Sequence, residues 1–251
     1  MGKYAVTGGA SGIGAAVVGQ LTQAGHSVIV VDLRDADVEA DLSCPEGRQN
    51  AINALESMVP EGLDGFVPCA GVSGVQAPSL VVSLNYFGVV SLVEGLRANL
   101  AKKSGSVVLI SSVTSSMSSD DELVNAMLDG NEKKAGQLSG SGSGDQAYSA
   151  TKRAVTCWMR RNCADYLKDQ VRMNAVAPGY IDTPINDGIR EAGGNDILDQ
   201  FVASIPVGRP GQPVDIANLI SFLLSDKSSF IAGANIFIDG GHDALFRQDS
   251  F

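Results

Sequence analysis

The sequence predicts an α/β fold, a single doubly wound parallel sheet with helices on both faces, and three observations predict it. Strand-like and helix-like segments alternate along the 251 residues. No block of consecutive strands interrupts that alternation, so each strand is joined to the next by a helix crossing the sheet, which makes the strands parallel. The segment Ser27–Leu33 is also a near-continuous apolar run, as expected of a strand covered on both faces of a sheet.

The elements follow in order. Lys3–Thr7 reads as a first strand, and Gly12–Ala24 as a helix with Ile13, Val17 and Leu21 on one face and Gly25 as its stop. Ser27–Leu33 is a buried strand. Pro45 opens a helix carrying Ala51, Ile52 and Leu55; Gly65–Cys69 is a short strand, Val81–Leu100 a helix and Ser106–Ser111 a strand. Tyr148–Leu167 is a helix containing Val155, Trp158 and Met159, and Val171–Val176 a strand. Val214–Leu224 is a helix, and Ala234–Ile238 a last strand. No linker divides these units, so residues 1–251 are expected to form one domain.

Two segments break the rhythm. Residues 113–146 hold Ser119-Asp120-Asp121-Glu122, a capping-box pattern, followed by Leu123, Ala126 and Met127. They end in alternating Ser and Gly from Ser139 to Gly144, whose composition predicts a flexible tether. An inserted helix on a loose connection is expected there. Residues 184–206 form a long stretch with weak amphipathic character around Ile197, Leu198 and Phe201, expected to cover a ligand at the carboxyl edge of the sheet.

A formal charge of −10 leaves nothing to neutralise a run of phosphates, which argues against nucleic acid and anionic membrane as partners. No apolar run stands out at the roughly 18 residues of a membrane span, and the first strand begins at Lys3, with no room for a signal peptide before it. Cys44, Cys69, Cys157 and Cys163 have no paired spacing, and His26 and His242 lie far apart, so no metal site is expected. Scattered thiols fit a reducing cytoplasm.

The chemistry-bearing motifs sit at predicted strand ends. Thr7-Gly8-Gly9-Ala10-Ser11-Gly12-Ile13-Gly14 closes the first strand and opens the first helix. Gly8 permits the turn, Gly12 lets the backbone approach a pyrophosphate, and Gly14 allows close helix–strand packing. The helix N-terminus offers free N–H groups and a positive dipole end. Asp32 ends the second strand 18 residues after Gly14. A carboxylate there accepts from ribose hydroxyls and repels a 2′-phosphate, which favours NAD over NADP. Arg34 is a nearby guanidinium that would suit a phosphate instead, and loop capping is the alternative role for Asp32. Tyr148 and Lys152 are four apart at a helix start and share a face. A free phenol, with pKa about 10, is a poor base at neutral pH. A neighbouring ammonium is expected to lower that value and make Tyr148 an acid–base group. By itself the spacing also arises by chance on surface helices. Ser112, at the end of a strand, is placed to hold a substrate oxygen or to satisfy a turn. Asn85, in an apolar helix, reads by itself as a satisfied core amide.

Together these residues resemble the short-chain dehydrogenase/reductase family, whose fold is a single-domain Rossmann fold. The resemblance spans essentially the whole chain: Thr7–Gly14, Asp32, Asp41-Leu42, Ala70-Gly71, Asn85, Ser112, Tyr148–Lys152, Pro178-Gly179 through Thr183, and Asp239-Gly240-Gly241. It implies a catalytic tetrad: Asn85 supporting a water-linked proton relay, Ser112 orienting the substrate, Tyr148 as acid/base and Lys152 lowering its pKa. It implies an NAD site built from Gly8, Ser11, Gly12, Ile13, Gly14, Asp32 and Leu33, with Asp41 and Leu42 beside the adenine. Cys69, Ala70 and Gly71 would make backbone contacts to the adenosine. Pro178, Gly179, Ile181 and Thr183 would lie around the nicotinamide, and Tyr148 and Lys152 would also reach the cofactor.

Two departures are visible. Pro68-Cys69-Ala70-Gly71 stands where the family carries Asn-Asn-Ala-Gly, leaving the support of the central strand open. Ser112 and Tyr148 are 36 residues apart, a spacing lengthened by the 113–146 insert. The insert, the Cys-Ala-Gly sequence and the ending Gly-Gly-His242-Asp243-Ala244 are most similar to the bacterial 3α-hydroxysteroid dehydrogenase/carbonyl reductase branch. Coniferyl-type aromatic alcohol dehydrogenases are the alternative, and a non-catalytic NAD-binding regulator is the alternative of another class. The expected partner is a small hydrophobic alcohol or ketone, and the expected assembly a homodimer or homotetramer.

Overall fold

A computed structural model describes residues 1–117, 120–187 and 195–249, with residues 195–198 as backbone only. The strands are β1 Lys3–Thr7, β2 Ser27–Asp32, β3 Val38–Glu39, β4 Gly65–Pro68, β5 Ser106–Ile110, β6 Arg172–Pro178 and β7 Asn235–Ile238. They form one sheet in the order β3-β2-β1-β4-β5-β6-β7, and every pairing is parallel. The doubly wound prediction therefore holds. The chain runs outward from β1 to β3, then returns to β4 and runs the other way. That reversal opens a crevice at the carboxyl ends of β1 and β4.

Alternation along the strands divides the core in two. Ala5, Phe66, Val107, Leu109, Met173 and Ala175 pack on one face, and Val6, Val67, Val108 and Val176 on the other. The second face is covered by α1 (Gly12–Gln23) and by the helix Pro213–Leu224. The first is covered by α2 (Pro45–Met58), by a broken helix over residues 78–101, and by Gly144–Lys168.

Four details differ from expectation. Strand β3 has two residues, too short for any periodicity. The helix expected over 81–100 is broken into α3 (Pro78–Val82), a π-turn (Ser83–Gly88), α4 (Val89–Gly95) and α5 (Arg97–Ala101). Within it, Pro78–Gly95 does reach the length and mean hydropathy (1.2) of a membrane span, but it is folded onto the sheet as a core element. The insert holds two helices, α6 (Asp121–Leu128) and α7 (Glu132–Ser139). The cap of α6 is Asp120, which accepts from the backbone N–H of Glu122 and Leu123.

The connection expected to be loose is tied down. Ser141 Oγ donates to the Leu138 carbonyl. Ser143 caps α8 (Gly144–Lys168) in a capping box with Gln146. A Cβ at Gly144 would collide with the Gly74 carbonyl, so glycine is needed there for close approach and not for flexibility. Leu123, Val124, Met127 and Ala135 are buried in the first core, which makes the insert part of that core. The 184–206 stretch contains a 3₁₀ turn, Pro184–Asn186, and α9 (Asn195–Ala203). The expectations on Ile197 and Leu198 fall outside the described side chains. The last helices are α10 (Pro213–Leu224) and α11 (His242–Phe246).

Candidate active site

The glycine-rich turn sits at the β1/β4 crevice. Gly8 and Gly12 have φ of 67° and 54°, which glycine adopts without strain. A Cβ on Gly14 would strike the Gly8 carbonyl, so α1 can start this close to β1 only with glycine there. Ser11 precedes α1 with its side chain unspent on capping, and the first turn holds no acidic residue. Free N–H groups at a helix N-terminus with no internal anion suit a pyrophosphate.

Asp32 takes the loop-capping part in the structure, from the strand-end position that the ribose part would also need. Its carboxylate accepts from the Ala10 N–H of the glycine turn (3.1 Å) and from the Leu33 N–H (2.8 Å), while it stays at the carboxyl end of β2. Leu33 beside it is 66% exposed, an apolar face at the mouth of the crevice. Asp41 accepts from the N–H and hydroxyl of Ser43, and these bonds hold its carboxyl below the usual range. Leu42 is buried against Gly88 of the π-turn.

The Pro68-Cys69-Ala70-Gly71 junction finds its own support. Thr7 Oγ1, buried, accepts from the Ala70 N–H at 3.0 Å and ties β1 to the end of β4. A Cβ on Gly8 would meet the Ala70 backbone at 2.8 Å. Thr7 was not singled out in the sequence, although its place at the end of β1 beside the turn was visible. Burial pushes the Cys69 thiol up to about 12, so it stays protonated at neutral pH.

Asn85 is fully buried and bonds both ways with Val72: Val72 N–H to Oδ1 and Nδ2 to the Val72 carbonyl, each 2.9 Å. The side chain is thus a satisfied core amide, as read from the residue alone. The π-turn places its backbone beside the site, and such turns disturb the i→i+4 ladder.

Ser112 follows β5, is buried, and its Oγ accepts from the Thr114 N–H. Tyr148 stands in the second turn of α8, which starts at Gly144, four residues before the expected start, and Lys152 follows one turn later with its Nζ donating to the Ile110 carbonyl at 2.9 Å. The Lys152 ammonium lies 5.4 Å from the centre of the Tyr148 ring. Burial lowers the Lys152 pKa to about 8. The expected lowering of the Tyr148 pKa by Lys152 is not what the geometry gives. Burial raises the phenol and a hydrogen bond with Ser112 opposes the rise, while the ammonium points to Ile110. β6 ends at Pro178, and Gly179 leads on to Ile181, which bridges to Gly211, and to Thr183. A Cβ on Gly12 would lie 3.5 Å from Thr183 Cγ2. The far loop therefore closes onto the glycine turn, as a site spanning a long cofactor requires. Among the described residues no cluster of three His, Cys, Asp or Glu is arranged to hold a metal ion.

Comparison with known proteins agrees with this geometry. The short chain dehydrogenase family profile matches residues 3–124, and the enoyl-(acyl carrier protein) reductase profile matches residues 135–243. The interval between them falls in the insert. A 3-alpha-hydroxysteroid dehydrogenase/carbonyl reductase of Comamonas testosteroni is 38% identical over 260 residues, covering 100% of each chain. A coniferyl-alcohol dehydrogenase of Pseudomonas sp. strain HR199 is 33% identical, covering 95% of each. The crystal structure of the 3-alpha-hydroxysteroid dehydrogenase from Pseudomonas sp. B-0831 complexed with NADH superposes with a TM-score of 0.95 at 42% identity, over 99% of this chain and 100% of that one. With full-length identity at this level and the glycine turn, Ser112, Tyr148 and Lys152 on one sheet edge, the chain belongs to the short-chain dehydrogenase/reductase family.

Proposed function

We propose that this protein is an NAD(H)-dependent oxidoreductase that interconverts a secondary alcohol and a ketone, with 3α-hydroxysteroids and related carbonyl compounds as its substrates. The observation that carries the reading is the placement of Tyr148, Lys152 and Ser112 together at the carboxyl edge of the sheet, beside the glycine turn. NAD(H), when bound, supplies the hydride chemistry. Gly8, Ser11, Gly12, Ile13, Gly14, Asp32, Leu33, Asp41, Leu42, the Cys69–Gly71 backbone, Pro178, Gly179, Ile181 and Thr183, with Tyr148 and Lys152, are the residues proposed to hold it.

Ser112 Oγ and Tyr148 Oη hold the substrate oxygen between them. In reduction Tyr148 gives its proton to that oxygen. Its raised pKa means the resting phenol carries the proton that this direction needs. In oxidation the phenolate is required, and the hydrogen bond from Ser112 is the interaction that favours it. Lys152, held by Ile110, is the proton donor behind Tyr148. Because the Asn85 side chain is spent on Val72, a water-linked relay would use the Asn85 backbone carbonyl.

The 184–206 stretch is proposed as the substrate cover: Ile185 and Phe201 present exposed apolar surface there. Exposed Phe222 on α10 and exposed Phe230 in the connection before β7 support a homodimer or homotetramer, and four free thiols are in keeping with a cytoplasmic location. The presence of Asn85, Ser112, Tyr148 and Lys152 in one chain does not favour a purely regulatory NAD-binding role.

The test is NAD reduction across a panel of hydroxysteroids, aromatic alcohols such as coniferyl alcohol, and simple secondary alcohols. Highest kcat/KM on 3α-hydroxysteroids is expected. Highest kcat/KM on the aromatic alcohols would replace the substrate assignment, and no turnover of any would overturn the reading.

A further inference from the structure

We propose that Arg48 is a positioning residue for the cofactor, joining the inserted helices to the loop proposed to hold the adenosine, so that cofactor binding and seating of the insert are energetically coupled. The inference rests on the proposed NAD site.

Arg48 is a buried cation at the start of α2, only 4% exposed. All three guanidinium nitrogens donate. Nε reaches the Leu42 carbonyl at 2.9 Å, and one terminal nitrogen reaches the Ser43 and Ser83 carbonyls at 3.0 and 3.1 Å. Glu132, at the first position of α7, completes a bidentate pair at 2.8 and 2.6 Å. One side chain thus touches the 41–44 loop, the first residue of the π-turn that carries Asn85, and the insert.

The loop it grips belongs to the cofactor crevice on geometric grounds. Strand β3 pairs with the end of β2, Asp32 opposite Glu39, and the Ala40 N–H donates to the Asp32 carbonyl. The loop therefore starts beside the carboxylate that holds the glycine turn. It has no slack on the other side: a Cβ on Gly47 would collide with the Asp41 carbonyl, and Leu42 packs on Gly88. If Glu132 moves, the guanidinium loses both of its charge-assisted bonds, and the carbonyls of Leu42, Ser43 and Ser83 lose a fixed donor. The planar fork is what makes the joint; the ammonium of a lysine cannot serve three carbonyls and a bidentate carboxylate at once.

Linkage is reciprocal: if the insert steadies the loop for the cofactor, the cofactor must steady the insert by the same factor. The probes are NADH, and AMP as the adenosine half alone, with hydrogen exchange read separately over the 41–44 loop and α7. In the unsubstituted protein both probes should slow exchange in the loop and in α7. Glu132→Gln, which keeps size but weakens the pair, should raise the Kd of NADH and of AMP roughly five-fold or more. It should also raise KM for NAD, leave kcat near its original value, and abolish the protection of α7. Glu132→Asp should recover part of the affinity.

Arg48→Lys provides a second variant should E132Q fold poorly, with the same selective loss of adenosine-half affinity. A lowered Tm with unchanged Kd for both probes and intact protection of α7 would show a merely structural pair and overturn the proposal. If AMP fails to protect the 41–44 loop in the unsubstituted protein, the assignment of that loop to the adenosine is what fails.

Discussion

Lys152 should weaken the very fold it serves, and the cost is measurable. Its ammonium is buried, and its pKa falls from 10.5 to about 8. Each factor of ten in proton affinity is about 1.4 kcal/mol, so holding the charge inside costs the folded state roughly 3 kcal/mol at neutral pH. The unfolded chain binds the proton more tightly than the folded one. The penalty is therefore complete below about pH 8, shrinks as pH rises from about 8 to 10.5, and is gone above, so this group makes stability rise with pH across that window. Lys152→Met keeps the unbranched stem and removes the charge. It also leaves the Ile110 carbonyl without this donor, at about 1 kcal/mol. The variant should be about 2 kcal/mol more stable than the parent near pH 7 and slightly less stable above pH 10.5, while losing catalysis. Reversible urea unfolding of the cofactor-free protein at both pH values measures this. If the stability difference between variant and parent is the same at both, the buried charge is not paying the penalty described here.

Three further outcomes follow from the site. Tyr148→Phe should lower kcat about 10²- to 10⁴-fold while NADH affinity, by fluorescence titration, stays within a few-fold; unchanged turnover would refute the role of Tyr148. Asp32→Ser should shift the NAD/NADP ratio of kcat/KM toward NADP and, by freeing the Ala10 N–H, weaken NAD binding; a strong NADP preference in the unsubstituted protein would already contradict the assignment. Deleting residues 113–144 with a short reconnecting loop should expose α8 surface now covered by Leu123, Val124 and Met127 of α6, and α3 surface now covered by α7. Burial of each such side chain contributes about 1.5–3 kcal/mol, so the deletion should cost stability and change the oligomer mass seen by light scattering. An unchanged mass would leave the insert as a site cover alone.

The order of elements was legible because it depends on local periodicity. β1 was read to the residue, and the boundaries of β2, α1 and α10 were read to within a residue or so. The glycine turn, Asp32, Ser112, Tyr148 and Lys152 were legible because each sits at a strand end or helix start, where the fold class puts ligand-facing groups. What escaped was set by partners distant in sequence. Strand β3 is defined by pairing with β2, not by its own two residues. The Ser-Gly run looked flexible by composition, yet Gly144 is there for contact with Gly74, 70 residues earlier. Arg48 gave no signal, since Glu132 lies 84 residues away.

The acid–base centre draws the same line. From the sequence, Tyr148 and Lys152 were bound to share a helix face, because i and i+4 always do. Their helix had to meet the carboxyl edge of the sheet if the glycine turn lay there. Only the tertiary structure decided which carbonyl Lys152 faces, how deeply both groups are buried, and hence that burial, not the neighbouring ammonium, sets the resting state of the phenol. Local periodicity carries the placement of a residue. The dielectric and the hydrogen-bond partners around it come from segments that only folding brings together.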